Sequence, residues 1–232
     1  MKTKLGIVGC GFLGNIVADA WKKGLLPDYE LVGVTSRTRA SAEKTAANVG
    51  CAVCEDVDAL LALEPEYIVE AASVESVRAM AIPVLKRHLE MPGAVWQPER
   101  CASMRFLSRC YLSMGDRRQG MVWALRAIAE APELREPWVQ AQEAAYAAED
   151  WEGVVYYGRR AVDITERSGF YINEDRAWGA YPWDAMAYAC YRIGDLRAAG
   201  AYGEQALLEE PDNPRLLENM RFYVGNKGGG YE

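Results

Sequence analysis

Three glycines, Gly9, Gly11 and Gly14, are the residues whose type and spacing point most directly to chemistry. In Gly9-x-Gly11-x-x-Gly14 the first glycine allows a tight turn. The second lets the main chain approach a pyrophosphate. The third lets the following helix pack closely on the preceding strand. Phe12, Leu13 and Gly14 then carry the free N–H groups of a helix start, which suit an anion. The chemistry implied is dinucleotide binding. A glycine turn that holds no ligand is the alternative.

The other end of such a site reads the adenosine ribose. Sites that prefer NAD place Asp or Glu after the second strand, where it accepts from the 2′-hydroxyl. Here the residues are Ser36-Arg37-Thr38-Arg39. Arg37 can pair with a 2′-phosphate through a charge-assisted contact, so NADP is favoured over NAD. A solvated basic loop is the other reading. Cys51-Ala52-Val53-Cys54 has C-x-x-C spacing. On a strand, residues three apart point to opposite faces, and no second cysteine pair completes a metal site. His88 is the sole histidine and falls where a helix ends, so it is expected to cap that helix rather than act as a base. No catalytic or metal-ligating residue is nominated.

The elements that must position these residues alternate. Leu5–Gly9 reads as a buried strand and Phe12–Lys23 as a helix. Glu30–Thr35, Cys51–Cys54 and Tyr67–Glu70 read as further strands. Ala40–Asn48, Val57–Leu63 and Val74–Arg87 read as helices, the last with a kink expected at Pro83. Such alternation implies right-handed crossovers and a parallel sheet, and the order 3-2-1-4 is expected for it.

K-L-G-I-V-G-C-G-F-L-G-N-I-V-A-D-A, E-L-V-G-V-T-S-R-T and E-Y-I-V-E-A-A-S-V-E-S-V-R-A-M-A-I-P-V-L-K together resemble the cofactor domain of the aspartate dehydrogenase family. The resemblance covers about residues 2–87. It implies that Ala71, Ala72 and Ser73 line the nicotinamide side of the cleft. The family continues with another strand, an S-x-G-A-type loop and a substrate domain bearing a catalytic histidine. In this chain Arg87 is followed instead by His88–Gly93 and then by helical sequence.

Composition changes at that seam. Residues 1–92 use Lys six times and Arg four times, whereas residues 93–232 use Arg fifteen times and Lys once. Six of the seven Trp follow the seam. Such a shift marks a domain boundary. The chain is read as a dinucleotide-binding domain over 1–90, a tetratricopeptide-repeat domain over 93–226 and a flexible tail over 227–232.

The second domain shows its repeat directly. Leu107, Tyr111, Gly115-Asp116 and Ala127 recur after 34 residues as Ala141, Ala145, Glu149-Asp150 and Ala161. After 45 more, Gly194-Asp195 and Ala206 follow. Thirty-four residues is the tetratricopeptide period, and the longer step adds eleven, assigned to Arg167–Ala177. Helix pairs of this kind stack into a superhelix with a concave face. First helices line that face, and Arg105, Arg109, Tyr146, Tyr188, Tyr191 and Arg192 are expected there, a recipe for a peptide or acidic group. L-S-R-C-Y-L-S-M-G-D, Y-A-A-E-D-W-E-G-V-V-Y-Y-G-R-R-A-V, W-G-A-Y-P-W-D-A-M-A-Y-A-C-Y-R-I-G-D and Q-A-L-L-E-E-P-D-N-P-R-L-L-E-N-M resemble the tetratricopeptide tail behind family-two glycosyltransferase domains. The sugar-nucleotide domain with its acidic metal motif has no counterpart here, so no transferase activity is implied.

The formal charge of −7 gives no bulk attraction to nucleic acid or anionic membrane. No apolar run approaches the roughly 20 residues of a membrane span. Six scattered cysteines without a secretory signal imply a cytoplasmic protein. Four arrangements remain open: a cofactor-binding module joined to an interaction module, a scaffold with an idle glycine loop, an oxidoreductase completed by a partner chain, and a fusion without joint function.

Overall fold

The computed structural model describes residues 2–71 and 74–224, so the expected tail, residues 227–232, lies outside the described residues. The chain divides into two compact units, Met1–Arg87 and His88–Glu232.

In the first unit the described residues form a parallel sheet of β1 (Thr3–Val8), β2 (Tyr29–Thr35), β3 (Ala52–Val53) and β4 (Tyr67–Glu70), in the order β3-β2-β1-β4. Between them run α1 (Phe12–Lys22), α2 (Arg39–Val49) and α3 (Val57–Leu61), and α4 (Val74–Glu90) follows β4. Alternation of side chains along each strand supplies two apolar layers. Leu5, Ile7, Leu31 and Val34 pack with Ala18 of α1 and Ala42 and Ala46 of α2. Val8 faces the other way, onto Val57 and Leu60 of α3 and Val84 of α4. The expected third strand, Cys51–Cys54, is shorter than the sequence reading, because only Ala52 and Val53 pair with β2.

The second unit is a run of helices: α5 (Gln97–Ser113), α6 (Arg117–Glu130), α7 (Arg135–Ala148), α8 (Trp151–Val162), a short α9 (Asp175–Trp178), α10 (Tyr181–Arg192), α11 (Leu196–Glu209) and α12 (Pro214–Tyr223). This is a tetratricopeptide-like succession of antiparallel pairs. The repeat signature has a local cause. Gly115, Glu149 and Gly194 each take a left-handed conformation, with φ of 83°, 58° and 85°. The next residue, Asp116, Asp150 or Asp195, then caps α6, α8 or α11 by accepting from the N–H of Gln119, Gly153 or Ala198. Ala127, Ala161 and Ala206 are fully buried at equivalent places, where a larger side chain would hold neighbouring helices apart.

The eleven-residue excess falls between α8 and α10. Arg135 braces its edge from within, donating to the carbonyls of Ala161 and Val162 at the end of α8 and to that of Ala177. A buried cation at a helix C-terminus satisfies carbonyls that have no partner in the helix.

Candidate functional site

The glycine loop lies where β1 gives way to α1. Gly9 has φ 97°, a conformation that a side chain would strain. Gly11 is the N-cap of α1, which has no side-chain cap and no acid in its first turn. Its opening N–H groups are therefore not committed to a side chain, and the partial positive end of the helix is not neutralised. A Cβ built on Gly11 meets nothing within 4 Å, so that face is open to a ligand. On Gly14 the same atom would lie 1.9 Å from the Gly9 carbonyl oxygen. Phe12 and Leu13 are 82% and 62% exposed, so their main chain is presented on the surface.

The loop is fastened to the ends of both neighbouring strands. The Gly9 N–H donates to the Thr35 carbonyl at 2.8 Å, and that of Cys10 donates to Ser36 Oγ at 3.3 Å. The Ala71 N–H donates to the Val8 carbonyl at 2.7 Å. The structure thus brings Gly9, Gly11, Gly14, Ser36 and Ala71 together at the carboxyl end of the sheet, where open parallel sheets bind ligands. The expected residues Ala72 and Ser73 lie outside the described residues.

Two residues that hold the loop were not foreseen. Asn15 donates through Nδ2 to the carbonyls of Cys10 and Gly11, at 3.0 and 2.9 Å. Its Oδ1 accepts from the hydroxyl of buried Thr45 in α2, at 2.9 Å. This bridge points the loop carbonyls inward, toward Asn15. An amide in the first turn of α1 was the available signal in the sequence. Its partner thirty residues on was not readable.

Ser36 and Arg37 border an open pocket of about 410 Å³, lined also by Arg39, Val53, Cys54 and Glu55. Arg39 is engaged by Glu43 at 2.8 Å. Arg37 is exposed and makes no ion pair among the described residues. The neighbouring thiols are not activated. Burial pushes Cys51 up to about 11, and burial also raises Cys10 and Cys54.

In the second unit, the expected partner-facing residues divide. Arg105 is 2% exposed and is engaged by the chain itself. Its Nη1 donates to Glu174 Oε1 at 2.5 Å and its Nη2 to the Ile172 carbonyl. Arg109 holds the other Glu174 oxygen through Nη2, and its Nε donates to Gln140 Oε1 at 2.8 Å. Residues 172–174 of the insertion thus engage both guanidinium groups, with Arg105 buried and the Arg109 side chain still 37% exposed.

Tyr146 and Tyr188 line a pocket of about 540 Å³ with Arg176, Tyr181, Asp184, Arg215 and Asn219. Their rings are 5.6 Å apart. Arg192 stands over Trp151 at 4.4 Å and donates to the Tyr188 hydroxyl at 3.1 Å. Tyr191 packs instead on Tyr223. Arg176, Arg215 and Asn219 come from the segment between α8 and α10 and from the last helix, off the repeat period, and Tyr181 opens α10; none of the four is among the expected residues. His88 hydrogen-bonds through Nδ1 with Ser103 Oγ at 2.9 Å, so its ring is held by a side chain of α5.

The comparisons with known proteins fall along the same division. Residues 9–91 match the family model described as homoserine dehydrogenase, NAD binding domain. Over 78 residues the chain is 31% identical to L-aspartate dehydrogenase of Methanocaldococcus jannaschii, which is 34% of this chain and 29% of that protein. Over 85 residues it is 31% identical to prolyl 4-hydroxylase subunit alpha-3 of Rattus norvegicus, or 36% of this chain and 16% of that protein. The crystal structure of MamA is similar with a TM-score of 0.54 at 12% identity, over 68% of this chain and 86% of MamA. The chain thus spans less than a third of the aspartate dehydrogenase that it matches. Its N-terminal part resembles an NAD-binding domain and has aspartate dehydrogenase relatives, and its helical part has a tetratricopeptide-like fold. Among the described residues, no helix is long and apolar enough to cross a membrane.

Proposed function

We propose that residues 1–90 bind a nicotinamide dinucleotide and that residues 93–226 form a protein-interaction module, the chain by itself turning over no aspartate. One observation carries the first half. The glycine loop leaves an uncapped, uncharged helix start beside an open Gly11 face, fastened to the end of β2 where a ribose would lie. The residues fit the group. The main-chain N–H groups of Phe12, Leu13 and Gly14 would hold the diphosphate, Ser36 and Arg37 would meet the ribose end, and Ala71 would lie toward the nicotinamide. A nicotinamide cofactor supplies hydride transfer when bound; these residues bind and orient it. Arg37, exposed on the rim of its pocket, favours the 2′-phosphate of NADP.

The interaction module is supported by the aromatic pocket around Tyr146 and Tyr188, with Tyr191 and Arg192 beside it. The resemblance of these repeats to glycosyltransferase-associated tails makes such an enzyme one partner to assay. The alternatives are a non-catalytic tetratricopeptide scaffold with an idle glycine loop and an oxidoreductase completed by a partner chain.

Titration with NADPH and NADH, followed by fluorescence, tests the cofactor reading. Gly11→Asp is the control, because its side chain enters open space and leaves the fold intact while placing a negative charge at the phosphate site. Wild type is expected to bind and Gly11→Asp to fail. Equal signals from both would leave the scaffold reading in its place.

A further inference from the structure

The insertion between α8 and α10 places a glutamate on two arginines that belong to another helix pair. Arg105 and Arg109 are one turn apart on α5, and each donates to a different oxygen of Glu174, 69 and 65 residues further along. Aromatic residues precede that glutamate. Phe170 meets Trp96 edge-on at 5.3 Å, and Tyr171 lies against it at 5.8 Å. The Tyr171 hydroxyl donates to Glu99 at 3.2 Å, yet its residue is 76% exposed. The segment from 164 to 174 has no helix or strand of its own.

One feature of this contact is incomplete. Arg105 Nε is buried and has no hydrogen-bond partner among the described residues. Glu174 reaches Nη1 and not Nε, so the resident carboxylate does not take up the whole fork.

We propose that the Arg105–Arg109 pair is an acid-reading site of the helical unit, and that residues 170–174 are its resident occupant, displaced by a partner peptide carrying an acid a few residues after an aromatic. The proposal rests on the interaction reading above and names the chemistry of the partner. The resident segment shows the pattern that fits: Phe170-Tyr171, two spacer residues, then Glu174. Because it is tethered, it competes at an effective concentration on the order of millimolar, so an external peptide binds weakly until the tether is removed.

A labelled synthetic peptide, Ser-Gly-Phe-Tyr-Ile-Asn-Glu-Asp-Arg-Ala-Trp, is titrated against the full chain by fluorescence anisotropy. Glu174→Ala is expected to bind it at least about tenfold tighter than wild type, and replacing the first peptide acid, the Glu, by Gln is expected to abolish the gain. Equal affinity for wild type and a folded Glu174→Ala chain overturns the proposal. In wild type, where folding is not in question, excess peptide should speed tryptic cleavage after Arg167 several-fold, and an unchanged rate also overturns it. Peptide binding that survives Arg105→Ala overturns it too, while leaving the interaction reading intact. That reading fails separately, when no peptide or partner binds any part of the repeat unit.

Discussion

The Gly9 carbonyl occupies the space where a side chain on Gly14 would have to go: a Cβ there would sit 1.9 Å from the oxygen. The loop and the first turn of α1 are therefore in main-chain contact, and the opposing oxygen is backbone, which cannot swing aside. Gly14→Ala must move the loop or the helix. It is expected to destabilise the N-terminal unit by about 1–3 kcal/mol and to abolish cofactor binding. A thermal melt with a parallel NADPH titration checks this, and an unaltered affinity would contradict the close approach.

Asn15 and Thr45 set the orientation of the same loop from behind. Neither faces the ligand surface through its own bridging atoms. Asn15→Leu and Thr45→Val are expected to weaken dinucleotide binding about tenfold, the loss of one to two hydrogen bonds of ordinary worth, while secondary structure persists. The double variant should be little worse than Asn15→Leu alone, since both break one bridge. Additive losses would show that the two act separately.

Arg37 carries the choice between the two cofactors. Arg37→Ala is expected to lower affinity for NADPH by about tenfold or more and to leave NADH nearly unchanged, because only the former offers a 2′-phosphate to a guanidinium. The effect should shrink with added salt, given the exposure of the side chain. Equal losses for both cofactors would place Arg37 outside the ribose end.

Glu174 gives the helical unit an acid dependence. Burial works to raise its pKa, but hydrogen bonds and charge from Arg109 and Arg105 outweigh it and hold the carboxyl below the usual range. Glu136 and Glu143 of α7 and Arg176 of α9 are the other charges nearby. A depressed folded pKa means stability that is fully present above the ordinary glutamate value of about 4.3 and is lost as pH falls through the folded value. Wild type should melt above Glu174→Gln at pH 7, and the gap should begin to narrow as pH falls below about 4.3 and close once it passes the lower folded value. A gap that widens in acid would refute the pairing.

Asp195 caps α11 through the Ala198 N–H at 2.9 Å. Asp195→Ala is expected to cost about 1 kcal/mol, or a fall in Tm of about 3 °C. Asp150→Ala, at the equivalent place on α8, should do the same. A null effect at both positions would mean that the repeated aspartate is not a cap.

What could be read along the chain was whatever depends on residues close together in it. Gly9, Gly11 and Gly14 announce a strand-loop-helix turn because each meets its constraint within a few residues, and the 34-residue recurrence of a left-handed residue followed by aspartate announces helix pairs for the same reason. Short apolar runs alternating with helical patterns likewise announce a parallel sheet. Tertiary structure alone decided what the arginines do. Arg105 and Arg109 carry a spacing that suits a groove, but the carboxylate they hold arrives from a segment off the repeat period, and nothing local encodes where such a segment lands. The same holds for Thr45 behind Asn15, and for Arg135 at the end of α8. Hydrogen bonds between distant side chains depend on how helices stack, and stacking is settled by volume and burial over the whole unit rather than by any short run of residues.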